Sequence, residues 1–373
     1  MIERTDRLTI AHVNSESSFS GGEVQVFLLM EGLRQLGHRN VLYCPPGSRS
    51  QEECRRRDIE AVPVAMRNNL DLPAILALRR SFKSSGIDIV HLHTGRATWL
   101  GGWAAYAAGF PAITTRRMDR EVKRNWRTKI TYHTLVQRAV AISPGVAGCL
   151  AAGGVRKEMT RLISSSVDPA RLRPSADREL IREALYVDHD AIMLLCVGSF
   201  YSRKGFDVLI RAIDLLRKRD LRPTVCIAGS GPEEECLVQL VRELQCEDQV
   251  KFLGNREAVA DLFHACDVFV MPSRREGLGV ACLEAMAAEC PVIASRVGGL
   301  GEAVVHERTG LLVPPEDPEA LANAIARIID DPALRIRLGA AGPGRVAEGF
   351  LPEQMVTAYQ ALYQEVLAGR GAR

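Results

Sequence analysis

The stretch Asp267–Ser295, "DVFVMPSRREGLGVACLEAMAAECPVIAS", holds two short apolar runs with a glycine loop and a helical pattern between them. "DVFVMPS" and "CPVIAS" have strand length and β-branched character, and "GVACLEAMAAE" has helical spacing, so the stretch reads as one βαβ unit. The loop "RREGLG" then falls at the carboxyl end of its strand, the edge at which open parallel sheets bind ligands. Gly277 and Gly279 let the backbone approach a ligand, and the free amides at the helix start favour a phosphate. Glu276 stands at the loop mouth, and Glu284 lies one to two turns into the helix, within reach of a ribose diol. Spacing alone leaves a second reading open, a loop glutamate and a solvated helix glutamate.

The same alternation runs outward in both directions. "LTIAHVN", "NVLYC", "IDIVHLH" and "PAITT" form one series of short β-rich runs with helical patterns between them. "AIMLLCVGS", "TVCIAGS", "VKFLG", "DVFVMPS" and "CPVIAS" form a second. Parallel strands with right-handed crossovers follow, hence an α/β chain of two doubly wound Rossmann-like domains facing a cleft. The stretch near Asp168 to Asp190, rich in proline, serine and charge, reads as the junction. The expected domains are 1–170 and 171–350. The tail 351–373, with Ala358, Leu362 and Val366 at helical spacing, is expected to pack back on the first domain.

Composition narrows the function classes. With 373 residues, 47% hydrophobic and 25% charged, the chain is an ordinary globular sequence with length for about two domains. A net charge of +3 is too small for this length to argue for nucleic acid. The ten cysteines include no C-x-x-C pair, which fits reduced core thiols rather than a disulfide framework or a zinc site. The N-terminus has no apolar signal-peptide core, so a cytoplasmic location is expected. Residues 97–115 carry no charge until Arg116, but glycines and a proline break the run. It reads as a buried helix leading into a strand, not a membrane span.

Several motifs in order carry a resemblance. E-x7-E (Glu276, Glu284) followed by "AMAAECPVIASRVGGLGEAV" is similar to the donor-site signature of the retaining group 1 (family 4) glycosyltransferases, which have the GT-B fold. "GSFYSRKGFDVLI" resembles that family's G-R-x4-K-G element, "IAGSGPEEECL" its G-x-G-P turn, and "SGGEVQVFLLMEGLRQLGH" its first-domain G-G-x-E loop and helix.

The resemblance implies roles residue by residue. Lys204 would neutralise a donor diphosphate, with Arg203 beside it, and Gly277, Leu278, Gly279 and Val280 would offer amides to it or to sugar hydroxyls. Gly229 of the G-x-G-P turn would join the donor site. Glu276 would hold the transferred sugar and Glu284 the ribose, while Gly21, Gly22 and Glu23 would form the first-domain loop. A departing diphosphate and an oxocarbenium-like sugar call for cations and dipoles near one and a carboxylate near the other. The donor would be a nucleotide-diphosphate sugar and the acceptor a hydroxyl of a glycan or glycolipid, in cell-envelope or lipopolysaccharide-type synthesis. No cofactor and no metal are expected.

Three positions depart from the family pattern. Ser199 stands where the G-R-x4-K-G element has arginine, and Ser20 where the G-G-x-E loop has its first glycine. Where relatives have a histidine, this chain reads "ITTRRMD", and Arg116 is expected at that spot, able to hold a phosphate or acidic sugar.

His91 and His93 in "VHLHT" are expected to face differently, only one toward the ligand edge, and neither is assigned to catalysis. The basic run "RRMDREVKRNWRTK" reads either as a solvated helix face or as a patch for a phosphorylated saccharide or an anionic membrane surface, at which the protein would be peripheral. Asp188-His189-Asp190 has the D-x-D form of a metal site. It precedes its strand, on the edge away from the donor, and reads as linker. Two competing functions remain: a nucleotide-sugar-binding protein without turnover, and a sugar-nucleotide epimerase on the same fold.

Overall fold

The computed structural model describes residues 7–256 and 259–369. The chain forms two compact units, one running to Ser166 and resuming at Pro352, the other Val167–Leu351.

In the first unit seven strands, β1 (Thr9–Val13), β2 (Arg39–Cys44), β3 (Glu60–Pro63), β4 (Ile89–Leu92), β5 (Ala112–Arg116), β6 (Arg138–Ala141) and β7 (Thr160–Leu162), lie in the order β3-β2-β1-β4-β5-β6-β7. All the pairings are parallel. In the second, β8 (Met193–Val197), β9 (Thr224–Ala228), β10 (Val250–Gly254), β11 (Val268–Met271), β12 (Val292–Ser295) and β13 (Gly310–Val313) lie in the order β10-β9-β8-β11-β12-β13, again parallel. Strand order reverses between β1 and β4 in one sheet and between β8 and β11 in the other. At such a switch the loops leaving the two central strands diverge to opposite faces and open a crevice.

The central strands read as continuous apolar runs because both faces are covered by helices. In the first unit the helix Pro352–Ala368 lays Met355, Val356, Tyr359, Leu362, Tyr363 and Val366 against Ile10, Ile89, Ile113 and Val140. Leu362 and Val366 belong to that stripe, while Ala358 sits at its margin. The contact with helix Gly21–Gln35 is tight at Gly32, where an added Cβ would lie 2.3 Å from Val356.

The charged stretch that reads as a junction is built into the second unit. It contains the helix Arg178–Ala184, two of whose arginines are paired within that unit. Arg182, only 3% exposed, reaches Asp267 at 3.2 Å and the Asp188 carbonyl at 2.8 Å, and Arg178 meets Asp267 at 2.6 Å. The D-x-D string thus lies at the amino end of β8, where its backbone receives Arg182.

Helix Gly95–Ala108 runs between the Thr94 cap and Gly109. The uncharged run reads as a buried helix, yet only one face is buried. Trp99 and Trp103 are part-exposed and Tyr106 is exposed, because the small residues Gly101, Gly102, Ala104 and Ala105 take the face toward the sheet. Among the described residues no helix is long and apolar enough to cross a membrane.

Candidate active site

In the second unit the loops after β8 and β11 meet at the switch point. After β8 the chain turns through Ser202–Lys204 into Gly205, at φ +68°, and then into helix Phe206–Arg217. A Cβ at Gly205 would stand 2.1 Å from the Pro272 carbonyl oxygen, so glycine is required both for the left-handed backbone and for the close approach. Arg274 fastens the β11 loop to this helix. Its guanidinium donates to both carboxylate oxygens of Asp207 at 2.7 Å, to Glu316 at 2.8 Å and to the Ser202 carbonyl at 2.8 Å. Burial alone would raise the Asp207 carboxyl, but the bidentate pair with Arg274 outweighs it and holds the group below its ordinary range.

The stapled loops bring Lys204 Nζ within 2.6 Å of Glu276 Oε2, with the Arg203 guanidinium 3.8 Å away. Lys204 and Glu276 are mostly buried, at 13% and 14% side-chain exposure, while Arg203 is exposed. Beyond Glu276, Gly279 at φ +86° caps helix Val280–Ala287. The amides of Gly277, Leu278, Gly279 and Val280 donate to no acceptor among the described residues. Four free N–H groups at the start of a helix, beside a lysine, form a seat for an anion.

Glu284 is on the same helix. Burial pushes its carboxyl up to about 7, opposed by the charge of Arg171. Gly229, expected in the donor site, has its amide committed within the fold. Its N–H is taken by the Gly254 carbonyl at 2.8 Å, and a Cβ there would stand 1.9 Å from the Gly198 carbonyl oxygen. Gly229 is a spacer between loops with no amide to offer.

In the first unit, Ser20 caps helix Gly21–Gln35, and Glu23 completes a capping box. Both carboxylate oxygens of Glu23 are committed, one to Ser20 N at 2.9 Å and Oγ at 2.7 Å, the other to Asn14 Nδ2 at 3.1 Å. The serine that departs from the glycine pattern is therefore a cap, and Gly21 and Gly22 form the first helical turn. The arginine beside that turn is Arg117, whose Cδ lies 3.9 Å from where a Cβ of Gly22 would stand. Arg116, expected at the spot where relatives have a histidine, donates instead to the Arg120 carbonyl. Successive side chains at a strand end point to opposite faces, and counting along the strand places the wrong one inward.

Arg117 sits on a buried histidine network. His91 and His93 are two apart, so they share a face. Their ring centroids are 3.9 Å apart, which corrects the expectation that only one turns inward. A guanidinium can only donate, so Arg117, 3.4 Å from His93 Nδ1, leaves the neutral His93 ring with its hydrogen on Nε2. That hydrogen goes to His12 Nδ1 at 3.0 Å, and His12 Nε2–H goes to Asn40 Oδ1 at 2.9 Å. His91 bonds to Tyr363 and Thr115, both at 2.7 Å. Burial lowers His12 to about 4, and holds His91 and His93 well below the usual range. The three rings offer nitrogens within 4.8 Å of one another. All six nitrogens have partners and a guanidinium adjoins them, so the chemistry suits a neutral relay rather than a divalent cation.

Comparison with known proteins follows the division of these sites. Residues 19–171 match the family described as Glycosyltransferase Family 4, and residues 177–345 match Glycosyl transferases group 1. Lipopolysaccharide core biosynthesis glycosyltransferase LpsD of Rhizobium meliloti is 35% identical over 239 residues, 64% of this chain and 67% of that protein. The chain belongs to the group 1 glycosyltransferases.

This glycosyltransferase is also similar to D-inositol 3-phosphate glycosyltransferase of Saccharomonospora viridis, 38% identical over 57% of the chain and 51% of that relative. It thus spans about half to two thirds of the length of such relatives. Among solved structures, sucrose-phosphate synthase of Thermosynechococcus elongatus superposes with a TM-score of 0.81 at 27% identity, covering 97% of this chain and all of that one. HepE of Anabaena, in complex with UDP and glucose, has a TM-score of 0.85 at 20% identity over 96% of this chain and 100% of its own, a likeness of fold. Both are α/β chains of the GT-B kind, the fold class expected of this glycosyltransferase.

Within the glycosyltransferase, Lys204, Glu276 and Glu284 fall in the group 1 segment, and Gly21, Gly22, Glu23 and Arg117 in the family 4 segment. Arg274 with Asp207, and His12, are functional residues that the motifs do not mark. The first pair has no signal beyond an arginine next to the motif. His12 has one: a histidine in the first strand becomes a neighbour of "VHLHT" once β1 and β4 are paired, and His12 stands in register with His91.

Proposed function

We propose that the protein transfers a sugar from a nucleotide-diphosphate sugar to a hydroxyl of a glycan or glycolipid acceptor, with retention of anomeric configuration and without a metal ion. The observation that carries this is the joined loop pair: Lys204 bonded to Glu276 beside four unpaired amides. As the bond from the anomeric carbon to the diphosphate breaks, negative charge grows on the leaving oxygen. Lys204 and the amides of Gly277 to Val280 stand ready for it without reorganisation, with Arg203 as a second cation. Glu276 balances the positive charge developing on the sugar, and the acceptor hydroxyl attacks the anomeric carbon as its proton passes to the departing diphosphate oxygen. Arg117, whose bonds among the described residues all go to His93 and whose Nε is unpaired, is a cation able to hold an anionic acceptor group. Two relatives are named for lipopolysaccharide core biosynthesis and for inositol 3-phosphate, which supports a cell-envelope setting and a phosphorylated acceptor.

The test is transfer in the presence of a chelator, with the product linkage read by NMR coupling constants. Full activity and an axial or equatorial linkage matching the donor are expected. Loss of activity restored by manganese or magnesium, or an inverted linkage, would overturn the reading. Asp188→Ala with Asp190→Ala should behave like the parent, since that string lies at the other edge of the sheet.

Glu284 makes a further prediction. A ribose diol donates to the ionised carboxylate, so binding favours the deprotonated form of a group that titrates at about 7 in the free protein. Affinity for a nucleotide sugar, whose diphosphate does not titrate in this range, should fall about tenfold between about pH 8 and pH 6. Glu284→Gln should bind more weakly at high pH and lose the dependence. Calorimetric titration would show it, and a parent affinity independent of pH would contradict the assignment.

A further inference from the structure

The three tryptophans of the chain, Trp99, Trp103 and Trp126, all lie on one surface of the first unit. Trp99 meets Trp103 at 5.9 Å and Trp126 at 6.1 Å, and Trp103 meets Tyr106 at 6.0 Å, each close to edge-on. Trp126 is 68% exposed. Helix Leu72–Ser84, which carries the exposed Leu72 and Leu76, packs alongside helix Gly95–Ala108, tied by Arg79 to the Ala107 carbonyl. An apolar concentration of this kind on an otherwise polar surface marks an interaction site.

The charge of the surface indicates what it meets. Residues 66–130 contain twelve Lys or Arg against four Asp or Glu, a net +8 in a chain whose total is +3. Arg120, Lys123, Arg124, Arg127 and Lys129 form no ion pair among the described residues, and Arg127 instead lies over the Trp99 ring at 4.5 Å. Paired charges would be spent inside the protein, whereas these are available to an anionic partner. Tryptophan and tyrosine with one wet and one apolar end, exposed leucines and unpaired cations together match the headgroup region of an acidic bilayer.

A glycan platform would need open ring faces. Here the rings stand edge to face, and Arg127 covers one of them. We propose that this surface, the outer stripe of helix Gly95–Ala108 with Trp126 and the surrounding cations, seats the protein on an anionic lipid bilayer. The seat adjoins the carboxyl edge of the first sheet, since helix Gly95–Ala108 begins one residue after Thr94, which follows His93. A lipid-borne acceptor would thus arrive next to Arg117. That last consequence rests on the function proposed above, whereas the seating itself does not.

Because every tryptophan is in the seat, whole-protein tryptophan emission reports it directly. Vesicles of phosphatidylcholine with phosphatidylglycerol should shift the emission to shorter wavelength and carry the protein in flotation. Phosphatidylcholine alone should do neither, and added salt should weaken the effect. Charge reversal of Arg120, Lys123 and Arg124 together should lower vesicle affinity about 100-fold or more. Trp126→Ser, at an exposed position that does not threaten folding, should lower it several-fold. Absence of shift and flotation with anionic vesicles, equal binding to neutral ones, or a shift produced by soluble oligosaccharide but not by vesicles would overturn the proposal. Nucleoside diphosphate release from donor without acceptor is measured on the same samples. Its loss in the parent would sink the enzymatic reading alone, and vesicle failure with normal release would sink the seat alone.

Discussion

Replacing Lys204 with alanine is expected to lower turnover of a nucleotide-diphosphate sugar by about 100- to 1,000-fold, the cost of removing one preorganised charge from a leaving group. Lys204 is the cation nearest Glu276, at 2.6 Å, and Arg203 at 3.8 Å is exposed and only partly able to replace it. Lys204→Arg should recover part of the loss, because charge returns while the compact ammonium does not. Glu276→Gln separates the two partners. It should also cut turnover, yet leave affinity for nucleoside diphosphate near or above that of the parent, since Lys204 is released to the phosphate. Steady-state kinetics with calorimetry on the three variants checks this. A Lys204→Ala enzyme with parental turnover would remove the lysine from the mechanism.

Acid should destabilise the first unit through its histidines. Burial depresses His12 from 6.5 to about 4, so the unfolded chain takes up a proton before the folded one does. Stability is therefore unaffected above pH 6.5 and declines as pH falls from 6.5 toward 4, by about 3 kcal/mol for His12 alone, since each tenfold change in proton affinity is worth about 1.4 kcal/mol. His91 and His93 are depressed in the same direction and add to the effect. The relay reinforces the burial. With Arg117 donating to His93 and His93 donating to His12, neither of these two rings can accept a second proton without breaking a buried bond. Denaturant titrations across this range should show the decline in the parent and a shallower one in His12→Gln, which retains polar contact with Asn40 but does not titrate. Identical slopes would show that His12 is not the source.

The fold is legible where one short stretch carries both periodicities. Asp267–Ser295 reads as strand, loop, helix, strand, and the structure has β11, the loop, helix Val280–Ala287 and β12 in that order. The helix starts at Val280 because Gly279 takes a left-handed backbone, a feature the Gly-x-Gly spacing announces. The site is less legible. Motifs point to Lys204 and Glu276, but the staple that brings them together, Arg274 to Asp207, spans 67 positions and depends on β8 and β11 being adjacent. Sequence reading puts Arg116 where Arg117 stands, because the last residue of a strand and its follower look alike in sequence while facing opposite ways. The histidines depend on strand order as well. His12 and His91 become neighbours only through the β1–β4 pairing, which no local pattern encodes.

In the proposed mechanism the loop pair at Lys204, Glu276 and Gly277 to Val280 binds a nucleotide-diphosphate sugar and breaks its anomeric bond. This is tested most directly by nucleoside diphosphate release from a panel of such sugars, with chelator present, in the parent and in Lys204→Ala. At least one donor should be consumed by the parent and its consumption nearly abolished in the variant. Release from no donor, or equal release by both proteins, would contradict the claim.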